Sequence, residues 1–160
     1  MNAPGPRNLE PGGMYIVDEE FPCLSVSLFL GLVGEGRRGL IISSDPPEQL
    51  RSARGIPEGV GVVWVTEAEA PSALRPSLVD QINAVRERFV VGEGGSVVLL
   101  DIFNQLVSSN DFSTVFKFFN YIRDDTLKRN SVVLVSIDSR AAEERHFRMV
   151  KRLARAIIRE

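Results

Sequence analysis

VVLLDIFNQLVSSNDFSTVFKFFNYIRDDTLKRNSVVLVSID, running from Val97 to Asp138, decides the fold. It reads as strand, helix, strand. Val97–Leu100 and Val132–Ile137 are short and rich in β-branched residues, as strands covered on both faces are. The intervening segment is long enough to bring the chain back parallel to itself. Asp101 closes the first strand and Asp138 the second. In open parallel sheets, ligands sit beyond the carboxyl ends of the strands. Those two carboxylates therefore mark where chemistry or recognition would occur.

Working outward, the same alternation recurs. Met14–Val17, Leu40–Ser43 and Gly61–Val65 read as three further strands. Asp18-Glu19-Glu20-Phe21-Pro22 is expected to turn into a helix that continues to about Val33. Pro22 suits a first helical turn, and the acids suit a positive helix N-terminus. Asp45-Pro46-Pro47-Glu48 starts a short helix ending near Gly55. Leu78, Ile82, Val85 and Phe89 recur at helical spacing over Leu78–Val91. A short turn over Ile102–Val107 precedes a long helix from about Asp111 to Lys128. Asp138 or Ser139 is expected to cap a last helix carrying the chain to its end. Five strands alternating with helices predict a three-layer, doubly wound, mostly parallel α/β sheet. Residues 1–13, with three prolines and three glycines, read as a flexible tail before a single domain over 14–160.

Composition narrows the function classes. The chain has 160 residues, 44% hydrophobic and 25% charged, with a net charge of −2. That balance supplies no global field toward nucleic acid or membrane. One cysteine, Cys23, and one histidine, His146, are too few N/S ligands for a zinc site. Cys23 borders the apolar run Leu24–Val33 and is expected to be buried. No apolar run approaches the ~18 residues of a membrane span. No basic, apolar and cleavable leader opens the chain, so a cytoplasmic location is expected.

The enzyme motifs are missing. Nucleotide hydrolases of this architecture grip phosphate with a glycine-rich loop ending in Lys and Ser/Thr after the first strand. Here that position carries Asp18, Glu19, Glu20 and Pro22. Carboxylates there repel a triphosphate, and proline removes an N–H donor. No G-x-G-x-x-G follows a strand, and no G-x-S-x-G occurs. Asp101 has the place of a metal-site aspartate, but many parallel strands end in Asp, and capping of the Ile102–Val107 turn is the favoured reading. His146 reads as a solvated or edge-packed side chain. No cofactor and no metal are expected.

Two surface features remain. Arg145, Arg148, Arg152, Arg155 and Arg159 recur at spacings of three and four. On a helix they form one stripe, either a solvated face or a dock for an acidic protein or nucleic acid. No aromatic residues interleave with them, which speaks against nucleic acid. On the long helix, Phe112, Val115, Phe116, Phe119 and Ile122 make a core stripe. Phe118 and Tyr121 widen it beyond one sheet face and predict a self-association contact in a homo-oligomer.

The chain resembles the archaeal domain-of-unknown-function family 835 over roughly Met14 to Arg159. The carrying residues are Met14-Tyr15-Ile16-Val17, Gly39–Ser43 with Pro47, Val63-Trp64-Val65 and Val97–Asp101. With them goes Asn110-Asp111-Phe112, followed by Val115, Phe116, Phe119 and Ile122-Arg123-Asp124. It departs from the family at Ser44, where Arg is usual, and over Ile102–Gln105. The order of elements also resembles RecA/KaiC-like ATPases without a Walker A loop. The resemblance implies signalling or regulation without an assigned reaction, and with the acidic turn Asp18–Glu20 the first reading is a non-catalytic regulatory or scaffold domain that binds protein partners in archaeal signal transduction. Two alternatives stand beside it. One is a nucleotide-sensing or hydrolysing domain with a non-standard phosphate site near Asp101. The other is a nucleic-acid accessory protein using the arginine stripe.

Overall fold

A computed structural model describes residues 8–160. Its elements in chain order are β1 (Met14–Asp18), α1 (Leu24–Gly34), β2 (Arg38–Ser43), α2 (Pro47–Arg54), β3 (Gly61–Val65), β4 (Ala73–Leu74), α3 (Val79–Val90), β5 (Ser96–Asp101), α4 (Phe103–Ser109), α5 (Phe112–Thr126), β6 (Ser131–Ile137), α6 (Glu144–Lys151) and β7 (Ala156–Ile158). The strands form one sheet in the order β4-β3-β2-β5-β6-β1-β7. Every neighbouring pair is parallel. Val97–Leu99 of β5 face Val132–Leu134 of β6 in register.

Strand alternation assigns the two faces. Tyr15, Val17, Ile41, Val97, Leu99, Val132 and Leu134 point to one side, where Phe29 and Leu32 of α1 and Leu50 of α2 cover them. Met14, Ile16, Leu40, Ile42, Val98, Leu100, Val133 and Val135 point to the other, under α3, α4, α5 and α6. Both faces are buried, which is why the central strands carry almost no polar residue. The fold is thus the expected three-layer, doubly wound sheet.

The sheet has seven strands rather than five. β4 is two residues long and β7 three, too short for a periodicity to register. β7 replaces the end of the expected last helix. α6 stops at Lys151, the chain turns, and Ile157 and Ile158 pair with Ile16 and Val17 of β1. Adjacent β-branched residues favour that extended conformation. The start of the helix also moves. Glu143, not Asp138 or Ser139, is its N-cap. The Asp138 carboxylate instead accepts from the Arg140 N–H in a tight turn.

The expected tail is ordered where it is described. Leu9 is buried against the α1 face of the sheet, and the Gly12 N–H donates to the Ser131 carbonyl at 2.8 Å. Gly13 is required to be small, because a Cβ there would meet the Tyr15 ring at 2.8 Å. Residues 1–7 of that expectation lie outside the described residues.

Candidate functional site

At the carboxyl ends of the strands, the chain leaves β2 toward β3 and leaves β5 the other way, toward β6. Such a reversal opens a crevice. A cleft of about 200 Å³ lies there, walled by the ends of β1, β5 and β6, the turn after β2, and α4. Its lining includes Glu19, Glu20, Asp45, Asp101 and Asp138, with Arg54 as a basic residue among them. The structure thereby brings together most of the expected site: Glu19, Glu20, Pro22 and both strand-end carboxylates.

Glu19 organises one wall. Its Oε1 accepts backbone N–H groups of Cys23, Leu24 and Ser25 at 3.1, 2.8 and 3.3 Å. Its Oε2 accepts the Ser136 hydroxyl at 2.7 Å. The donors at a helix start have no partner within the helix, and together with the dipole they make an anion seat. Here the chain's own carboxylate fills it. Pro22 lies before the N-cap Cys23 rather than in the first helical turn. Cys23 is exposed, contrary to expectation. At the helix start its side chain stays at the surface instead of entering the core, with Sγ 3.1 Å from an Arg54 nitrogen.

Asp18 stands apart from the cleft. It accepts the Ser139 N–H at 2.9 Å and hydroxyl at 2.7 Å, and Arg159 Nε at 2.9 Å. Burial would raise this carboxyl, but the Ser139 hydrogen bonds and Arg159 outweigh it and hold it below the usual carboxylate range. Asp18 is therefore a clasp joining β1, the turn after β6 and the end of the chain.

Asp101 has the opposite surroundings. Burial, and then the charges of Asp45 and Glu19, push it up to about 7, against a weak opposing pull from Ser43 and Arg54. The one side-chain hydrogen bond it receives, from Ser43 Oγ, is long at 3.5 Å. The α4 turn after it has no side-chain cap, so Asp101 is not a helix cap. A carboxyl that holds its proton near neutrality is a property of functional sites. Among the described residues, no group of three or more His, Cys, Asp or Glu side chains is arranged to hold a metal.

The arginine stripe does not form. Arg145 and Arg148 lie on α6, Arg152 and Arg155 in the following turn, and Arg159 beyond β7. Arg148 pairs with Glu144, Arg155 with Glu10 and Arg159 with Asp18. The expected self-association patch also loses a member. Phe118 is 6% exposed and packs edge-on against Phe119. Tyr121 alone stays out, 47% exposed. His146 is buried and stacks on Phe112 at 3.9 Å, away from the cleft.

One buried cation escaped the sequence reading. Arg86 is 1% exposed and pairs with Asp125 at 3.1 Å, tying α3 to α5. Ile82, Arg86 and Val90 form the buried stripe of α3, so an arginine at an apolar register position was the available signal. Ser43 and Ser136 were missed as well; each is a polar residue near the end of an apolar strand.

The sheet order and the cleft at its switch point define a doubly wound, parallel α/β fold. The structure is similar to RadB recombinase, a RecA-like protein, with a TM-score of 0.61 at 14% identity, covering 94% of this chain and 75% of that one. It is also similar to a protein from Pyrococcus horikoshii OT3 solved in a structural study, with a TM-score of 0.66 at 8% identity, covering 98% of this chain and 87% of that one. No curated protein matches. The model of the family described as protein of unknown function (DUF835) matches residues 22–154, and the chain belongs to that family. No helix among the described residues is long and apolar enough to cross a membrane.

Proposed function

We propose that this chain is a non-catalytic regulatory or scaffold domain that binds protein partners through the rim of the acidic cleft. The observation that carries this reading is the seat of Glu19. In a phosphate-binding protein of this architecture the N–H groups at the start of α1 would face a phosphate. Here they are spent on a carboxylate within the chain, with Asp45, Asp101 and Glu20 beside it. A triphosphate would have to displace Glu19 and then sit among like charges. At the mouth of the same cleft the Phe21 ring is 60% exposed. An exposed aromatic ring ringed by carboxylates supports contact with a basic protein surface, since buried aromatic anchors dominate such interfaces. The family resemblance carried by Asn110–Asp124 supports a place in archaeal signal transduction.

Titration calorimetry with Mg-ATP tests the non-catalytic half, and no binding heat is expected. A micromolar Kd that is lost in Asp101→Ala would instead establish a nucleotide sensor with a non-standard phosphate site. Capture from native cell extract tests the other half. Phe21→Ser is expected to lose partners that the wild type retains, and equal capture would move the contact surface elsewhere.

A further inference from the structure

The end of the sheet opposite the acidic cleft holds a cleft of the opposite charge. It occupies about 210 Å³ beside the start of β1, between the end of α5 and the turn that joins α6 to β7. Three arginines line it and no acid does: Arg123 from α5, and Arg152 and Arg155 from the turn. The last two belong to the arginine spacing that makes no stripe. Because the chain leaves the helix after Lys151 to form β7, they meet Arg123 across the cleft instead.

Backbone hydrogen bonds build the walls. The Arg155 N–H donates to the Met14 carbonyl at 2.7 Å, and the Val133 N–H to the Gly13 carbonyl at 3.0 Å. Met14, Leu127 and Leu153 supply an apolar lining. Arg123 Nε meets Asp124 at 2.8 Å and Arg155 Nη1 meets Glu10 at 3.5 Å. Neither carboxylate lines the cleft, both are more than half exposed, and exposed pairs of this kind hold weakly. Arg152 is exposed and has no carboxylate partner among the described residues. Residues 1–7 contain no Asp or Glu that could supply one. The carboxyl ends of α5 and α6 each add about half a negative charge, less together than the three guanidinium groups bring.

We propose that this cleft binds a small phosphate monoester, with the phosphate among Arg123, Arg152 and Arg155 and the organic body against Met14, Leu127 and Leu153. A carboxylate is satisfied by one guanidinium through two parallel bonds. A phosphate monoester presents three acceptor oxygens and nearly two negative charges, which matches three guanidinium groups arriving from two segments of chain. Inorganic phosphate would leave the apolar lining unused. The volume lies below the roughly 300–1,000 Å³ of drug-sized ligand sites, so the ligand is small. The site sits at the amino end of β1, away from Glu19 and Asp101, and stands or falls independently of the acidic-cleft reading.

Amide chemical shifts of the full chain, followed during titration with phenyl phosphate at about pH 8, where the phosphate is doubly charged, test the assignment. Saturable shifts are expected at Gly13, Met14 and Leu127, with a Kd below about 1 mM. Inorganic phosphate and benzoate should each bind at least about tenfold more weakly. Arg152→Gln removes an exposed side chain, so the rest of the spectrum should stay as in the wild type while phenyl phosphate binds at least about tenfold more weakly. Arg145→Gln makes the same change of net charge on α6 outside the cleft and should keep the wild-type Kd. The proposal is overturned if no saturable shift appears up to about 10 mM phenyl phosphate, or if Arg152→Gln binds as the wild type does. An equal loss in Arg145→Gln would overturn it as well, and so would benzoate or inorganic phosphate matching phenyl phosphate.

Discussion

Asp18 and Asp101 are the same residue at the same place, the last position of a central parallel strand, and the fold treats them in opposite ways. Asp18 is met by the Ser139 N–H and hydroxyl and by Arg159, and is held below the usual carboxylate range. Asp101 is met by one hydroxyl and by the charges of two other acids, and holds its proton up to about pH 7. The neighbour strands make the difference. β1 lies between β6 and β7, so its end meets a polar turn and the basic end of the chain. β5 lies between β2 and β6, so its end opens onto the crevice where the β1–α1 and β2–α2 turns both present acids. Strand position alone assigns no role to a terminal aspartate.

The largest effect that would break this contrast is expected from Asp101→Asn. The folded-state value is raised above the ordinary 3.8 to about 7, so the native state holds a proton that the unfolded chain releases. Stability therefore falls as pH rises from about 4 to about 7, and the cost is complete above that. Removing the charge should stabilise the protein at pH 8, by at most about 4 kcal/mol at roughly 1.4 kcal/mol per tenfold in proton affinity. It should change little at pH 4. Urea denaturation at the two pH values measures this, and an equal gain at both would mean that Asp101 carries no buried charge.

Asp18→Ala should act in the opposite direction and by less. Hydrogen bonds to a charged group are worth about 1.5–3 kcal/mol, and the variant should lose about that much at neutral pH. Because the folded value is lowered, the stabilisation is present above about 4 and disappears as pH falls through the folded value. Wild type and variant should therefore converge in acid-unfolding curves as pH falls below the ordinary carboxylate range. A difference that persists there would assign Asp18 a packing role instead.

The smallest effect sharpens the role of Glu19. Ser136→Ala removes one of its four donors and should cost about 1 kcal/mol in thermal or urea unfolding. The three backbone donors should keep Glu19 seated, so the Leu24 amide should stay protected at pH 5. Loss of that protection would show that Ser136, rather than the start of α1, is the main anchor.

The sequence by itself determined the layers and the place of the site. Apolar runs such as Val97–Leu100 and Val132–Ile137 can be buried on both faces only in a covered parallel sheet, and crossover lengths leave few other arrangements. Asp101, Asp138 and the acids after β1 were legible as a cluster because strand ends in such sheets converge. The environment of each carboxylate was decided by the tertiary structure. Glu19 finds its donors in the next turn of chain and in Ser136, 117 residues away. Asp18 finds Arg159 only because the last residues form β7 instead of extending a helix. The arginine spacing was real, but helical spacing makes a stripe only while the chain stays helical. The pairing of Ile157 and Ile158 with β1 ends that, because the sheet edge offers backbone hydrogen bonds and a buried face together. Phe118 turns inward for a similar reason: the width of the apolar face on α5 is set by Phe119 and by the neighbouring α3, which no local pattern contains.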